Sequence, residues 1–169
     1  RSLLDRFEID QKQSAFMGNN ASKIFDILRP LHNLNSNYKS LLIVASKLHS
    51  IGSTLNFYKS NDNAFDFILN GLNYDFSHNS RIVVAHTIKF SKKSLPTKVE
   101  ILKYEELLPS LNVMQWMSFM ISLNIAINQD LSRPKVSYAL QGDVLKIELS
   151  NNSFLIQSNI DKLETPEDL

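Results

Sequence analysis

The sequence predicts a mainly α protein (α+β) with a small antiparallel β appendage at its C-terminal end. Two observations carry this. From Asp10 to Gln129, apolar residues recur at three- and four-residue spacing, the period of a helix with one buried face. After Pro134 the period drops to two, with Gly and Asn as punctuation, which marks short antiparallel strands.

The elements follow in order. A helix is expected from Asp10 to Arg29, with Phe16, Met17, Ala21, Ile24, Phe25 and Leu28 on one face. Asp10 is its expected cap, because a short carboxylate accepts a bond from a first-turn N–H, and Pro30 its stop. Asn33 to Asn37 reads as a polar loop. A second helix is expected from about Asn37 to Ile51, ended by Gly52, with Leu41, Leu42, Ala45, Leu48 and Ile51 inward. A third is expected from Asp62 to Gly71. A fourth follows from Ser77, its cap, with Ile82, Val83, His86 and Phe90 inward. A short helix is expected around Lys98 to Leu108, and a long one from Asn112 to Gln129 that buries Val113, Trp116, Met117, Met120, Leu123 and Ile127.

In the last third, Val136, Tyr138 and Leu140 form one strand and Gln141-Gly142-Asp143 a turn. Val144 to Leu149 forms a second strand, and Phe154-Leu155-Ile156 is expected as the third of a meander. A meander of that size is marginal alone, so it should pack on helices. The expected organisation is a helical domain over 1–133, a β appendage over 134–161 and an acidic, frayed tail over 162–169.

Composition narrows the function. The chain has 169 residues, 43% of them apolar, enough for a real core, and a formal net charge of +1. That balance gives no global pull toward nucleic acid or anionic membrane, so no specific nucleic-acid or membrane partner is expected. No apolar run approaches the roughly 18 to 20 residues that span a bilayer. With no cysteine, disulfides and thiolate metal sites are excluded, and a cytoplasmic location is expected. The chain begins at Arg1 and is expected to be a piece of a longer protein.

Catalytic signatures are missing. Only 4 glycines are present, and no G-x-S-x-G, P-loop or dinucleotide fingerprint occurs. The pairs Glu105-Glu106 and Glu167-Asp168 read as solvated charge. His32 and His78 are placed in loops. His86 and His49 read as packed structural residues, since a metal centre needs several ligands converging from different elements. One feature leans functional. Lys89, Lys92, Lys93, Lys98 and Lys103 crowd a fifteen-residue span with Glu100 the one carboxylate among them. A polyanion binds such a patch through counterion release. The competing reading is a solvated helix end, where lysines suit the negative end of the helix dipole.

Several segments follow, in order, the motifs of one known family. Leu41-Leu42-Ile43-Val44-Ala45-Ser46-Lys47-Leu48-His49-Ser50-Ile51-Gly52 resembles its LLxxAAxLH(E/D)IG helix. Leu4-Asp5-Arg6-Phe7-Glu8-Ile9-Asp10 and Ile24-Phe25-Asp26-Ile27-Leu28 are similar to the bounds of an earlier family helix. Asn63-Ala64-Phe65, Asn70-Gly71-Leu72 and Phe76-Ser77 resemble the HSAY and GFS motifs. Ile88 to Lys93 stands where the family has VRYHRK, Leu123 to Ser132 resembles LRLAxxLDRS, and Leu140 to Leu145 resembles a LxGDxLxL strand turn. The order of these weak motifs carries a resemblance to the exopolyphosphatase/guanosine pentaphosphate phosphohydrolase (Ppx/GppA) family, and it covers nearly the whole chain.

The resemblance implies an HD-like helical region, the C-terminal part of a phosphoanhydride hydrolase. It places the catalytic centre, with its divalent metal (Mg), in upstream actin-like domains. It implies that this region helps to bind polyphosphate or guanosine pentaphosphate, packs on those domains and forms a homodimer. Lys89, Lys92 and Lys93 are the candidate polyphosphate-binding residues. His49 marks a degenerate HD position, because Ser50 follows it where an HD site needs Asp. Asn63 (or Asp62, if the local register shifts by one), Ser91 and Ile127 stand at the other ligand positions. No catalytic residue, metal or cofactor is therefore assigned within this chain. The other two readings are a divergent HD-type metal-dependent phosphohydrolase and a purely structural interaction domain for the actin-like half.

Overall fold

The computed structural model describes residues 3–55, 77–102, 108–151 and 153–169. Its elements, in order, are α1 (Leu3–His32), α2 (Asn37–Leu55), α3 (His78–Lys89), α4 (Lys98–Leu102), α5 (Leu111–Ile127), β1 (Val136–Gln141), β2 (Val144–Leu149) and α6 (Phe154–Asp161). The chain is mainly helical with a small antiparallel sheet near its C-terminus. The expected helix from Asp62 to Gly71 lies outside the described residues.

α1 is longer than its apolar period indicates. It begins at Leu3, so Asp10 is inside it and not its cap. Pro30 does not end it either. Proline lacks one N–H, which costs little in a last turn that is closing anyway, and the helix continues to His32. The stop is Asn33, left-handed at φ 51, whose N–H bonds the carbonyl of Arg29 at 2.9 Å. α2 likewise runs through Gly52 to Leu55, because an isolated glycine weakens a helix without breaking it.

The remaining helices follow local chemistry. Ser77 caps α3, its side chain accepting from the Ser80 N–H, and Ile82, Val83, His86 and Phe90 are buried as expected. α5 is capped by Ser110 and buried on nearly every side, so it is the central strut of the core. Trp116, Met114, Met117, Met120, Leu123 and Ile127 are fully enclosed there, against Phe25, Leu28 and Leu42 of α1 and α2. Of the expected Lys98–Leu108 helix, residues 98–102 are helical, and 103–107 lie outside the described residues.

The sheet has two strands, not three. β1 and β2 pair antiparallel with Tyr138 opposite Ile147, joined by Gly142–Asp143. Gly142 takes φ 62 at the first turn position, where a side chain would be strained. Phe154-Leu155-Ile156, expected as a third strand, opens α6 instead. Ser153 caps it by accepting from the Ile156 N–H; Ile156 is then fully buried and Ile160, one helical turn on, packs on the core. The tail is not frayed: Pro166 is buried, Leu169 packs on the core, and Glu164 is bonded at both backbone and side chain.

Candidate anion-binding site

The lysine cluster begins where α3 ends. Phe90 closes that helix by bonding the His86 carbonyl, and the chain turns sharply through Ser91 and Lys92. The strap from Phe90 to Pro96 is then fixed from two sides. On one side α5 presents Ser118 and Ser122, four residues apart and hence on one face. Their hydroxyls donate to the carbonyls of Phe90 (2.7 Å) and Lys92 (2.9 Å). Gln115 of the same helix donates to the Pro96 carbonyl. On the other side the tail closes the loop. The Glu164 N–H bonds the Lys93 carbonyl at 2.8 Å, and the Glu164 carboxylate accepts from the Leu95 N–H at 2.8 Å.

With its backbone committed inward, the strap turns its side chains out. Lys92, Lys93 and Ser94 are exposed, Lys89 is half-buried on the last turn of α3, and Leu95 and Pro96 are buried beneath. Lys98 is exposed on α4, and Lys103 lies outside the described residues. The three candidate lysines thus stand on one short, fixed segment. Glu164 sets a carboxylate at its inner edge, bound to the Leu95 amide.

The HD-position residues are scattered over separate elements. His49 and Ser50 lie in α2, and burial pushes the His49 imidazole below its ordinary range. Ser91 stands in the strap and donates to the Ile88 carbonyl, and Ile127 is sealed in the core. Asn63 lies outside the described residues. Among the described residues, no group of three or more His, Asp or Glu side chains gathers as a metal site would require.

His32 is not a loop residue but the buried end of α1. Its Nδ1 accepts from the Leu34 N–H at 2.9 Å, so the neutral ring carries its proton on Nε2, which donates to the Phe25 carbonyl at 2.9 Å. His86 is fully buried and bonds the Ile82 carbonyl through Nδ1. His78 opens α3 and is exposed. Glu105 and Glu106 lie outside the described residues, whereas Glu167 and Asp168 are exposed on the tail.

Compared with known proteins, the chain matches no protein-family model and no curated protein sequence.

The sequence reading missed a set of buried carboxamides. Asn124 Oδ1 accepts from Asn20, and its Nδ2 donates to the Met17 carbonyl (2.8 Å) and the Ser46 hydroxyl (3.2 Å). The Tyr138 hydroxyl donates to Asn20 Oδ1 at 2.6 Å, which ties β1 to the helices. Gln13 and Asn128 do the same for the linker after α5. Gln13 donates to the Leu131 carbonyl, Asn128 donates to Gln13, and Asn128 Oδ1 accepts from the Arg133 N–H. These bonds hold Leu131 and Arg133 in left-handed backbone at φ 61 and 51. The signal was present: an Asn at 124 interrupts an otherwise apolar helix, and a polar residue there must find partners.

Proposed function

We propose that this chain is a non-catalytic, mainly helical accessory module of a polyphosphate-type phosphohydrolase, with Lys89 at the end of α3 and Lys92 and Lys93 on the strap as its contact for an anionic chain. The observation that supports this best is the fixing of the strap. Backbone bonds to Ser118, Ser122 and Glu164 hold the segment, and Lys92 and Lys93 are exposed on it. A fixed row of cations loses less conformational freedom on binding than a loose one. It fits a repeating polyanion, whose recognition needs charge spacing and counterion release more than a shaped pocket. The substrate class, phosphoanhydride chains, and the role beside actin-like domains rest on the resemblance of Leu41–Gly52 and the segments that follow it.

The test is binding of long-chain polyphosphate across a salt series, followed by fluorescence anisotropy. Affinity should fall linearly in logarithmic terms with salt. The slope should drop by about one for each lysine removed in Lys92→Ala and Lys93→Ala. Binding absent at low salt, or indifferent to both substitutions, defeats the reading.

A further inference from the structure

The two-stranded sheet has an outer edge along β2. The two-residue turn makes Gln141 and Val144 the hydrogen-bonded closing pair, and alternation extends this to Ala139/Lys146 and Ser137/Glu148. The N–H and C=O groups of Leu145, Ile147 and Leu149 therefore point away from β1. Among the described residues they have no hydrogen-bond partner. The charges on this edge, Lys146 and Glu148, are confined to its outer face. β2 contains no proline, and its inward side chains are Leu145, Ile147 and Leu149, not charges. Beside it opens a cleft of about 510 Å³, bounded across from these residues by Gln157, Ile160 and Asp161 of α6.

We infer that β2 is the seam of a two-fold homodimer, pairing antiparallel with β2 of a second copy about an axis through Ile147. The sequence of the strand selects this occupant. In that register Leu145 faces Leu149 of the second copy and Lys146 faces Glu148, each pair occurring twice, while Ile147 on the axis faces its own counterpart once. The strand Val-Leu-Lys-Ile-Glu-Leu is thus complementary to itself when reversed, in both apolarity and charge. Opposite charges directly across an antiparallel pair attract, and like charges repel. Lys146 and Glu148 are both exposed, and neither forms an ion pair among the described residues. The three pairs formed by residues 145, 147 and 149 would exchange about six backbone bonds. The result is a four-stranded sheet with one continuous apolar face, which answers the marginal stability of a lone hairpin. The inference gives a surface to the dimer that the family resemblance implies, and it does not rest on anion binding.

Charge reversal tests it by sedimentation velocity on the whole chain. The chain should show a reversible monomer–dimer equilibrium. Lys146→Glu and Glu148→Lys should each weaken it roughly tenfold or more, since either change turns two attractive pairs repulsive. An equimolar mixture of the two variants should dimerise again, as should the double swap Lys146→Glu/Glu148→Lys. The chain has no native cysteine, so Ile147→Cys adds a register probe. Directly opposed strand residues lie about 5.5 Å apart at Cα, within disulfide range, so the variant should cross-link to itself under mild oxidation. A chain that is monomeric at every concentration overturns the inference and leaves the edge to an extended segment of another protein. A dimer indifferent to the reversals and to their mixture also overturns it. Neither outcome touches the polyphosphate titration, which reads Lys92 and Lys93.

Discussion

Asn124 holds three elements through a single carboxamide. Its oxygen takes the Asn20 amide of α1, and its nitrogen reaches the Met17 carbonyl of α1 and Ser46 of α2. Asn124→Ala leaves the Asn20 amide and the Met17 carbonyl buried with a partner removed, at about 1–3 kcal/mol for such a loss. A fall of that size in urea-unfolding stability is expected, and a change below about 0.5 kcal/mol would show that the network carries little. The buried histidines set a pH dependence of definite sign. Burial lowers the pKa of both His32 and His86. The unfolded chain therefore takes up protons first as pH falls through the ordinary histidine value of about 6.5. Their contribution is complete above that value and declines below it, with a slope of up to about 1.4 kcal/mol per pH unit for each ring. Equilibrium unfolding between pH 7.5 and 5 should show this decline, and His32→Asn or His86→Asn should flatten it.

The strap and the tail are one unit at the scale of elements. Glu164 satisfies the amide of the buried Leu95 while its own N–H bonds Lys93. Glu164→Ala should cost about 1 kcal/mol and speed hydrogen exchange at the Leu95 amide, leaving α1 and α2 unaffected. Exchange unchanged at Leu95 would mean that the tail does not hold the strap. α6 depends on its cap in the same way. Ser153→Ala should cost about 1 kcal/mol, read by thermal unfolding. Capping also explains why Phe154-Leu155-Ile156 is a helix. Three apolar residues in a row fit either period, and the Ser153 hydroxyl on the Ile156 N–H favours the helix. After two strands, such a run continues the strand period as readily as it opens a helix.

Across the whole molecule, the hairpin and the helices share one polar junction. Tyr138 of β1 donates to Asn20, and Asn20 to Asn124 at the centre of the core. Burial pushes the Tyr138 phenol well above its ordinary pKa, so it stays a donor throughout the range in which the protein is studied. Helices and hairpin should therefore unfold in one transition. The single tryptophan, Trp116, reports the core, and exchange at the β1–β2 amides reports the hairpin. The two should coincide in urea, and a hairpin that opens first would separate the units. Among the described residues, no helix is long and apolar enough to cross a membrane.

Local rules along the chain suffice for the helical class, the cap at Ser77, the turn at Gly142 and the inward faces of α3 and α5. Each depends on chemistry within a few residues: periodic apolar side chains, a hydroxyl near a free N–H, a residue without Cβ. Lys89, Lys92 and Lys93 stand out in the same way, because charge density is visible along a chain. The rest comes from contacts made in three dimensions. Helix ends at Pro30 and Gly52 shifted because helix propensity is a weak prior that tertiary context overrides. The buried carboxamides, the docking of the tail beneath the lysines and the open edge of β2 join residues far apart in the chain. Glu164 and Leu95 are 69 positions apart, and no local rule pairs them.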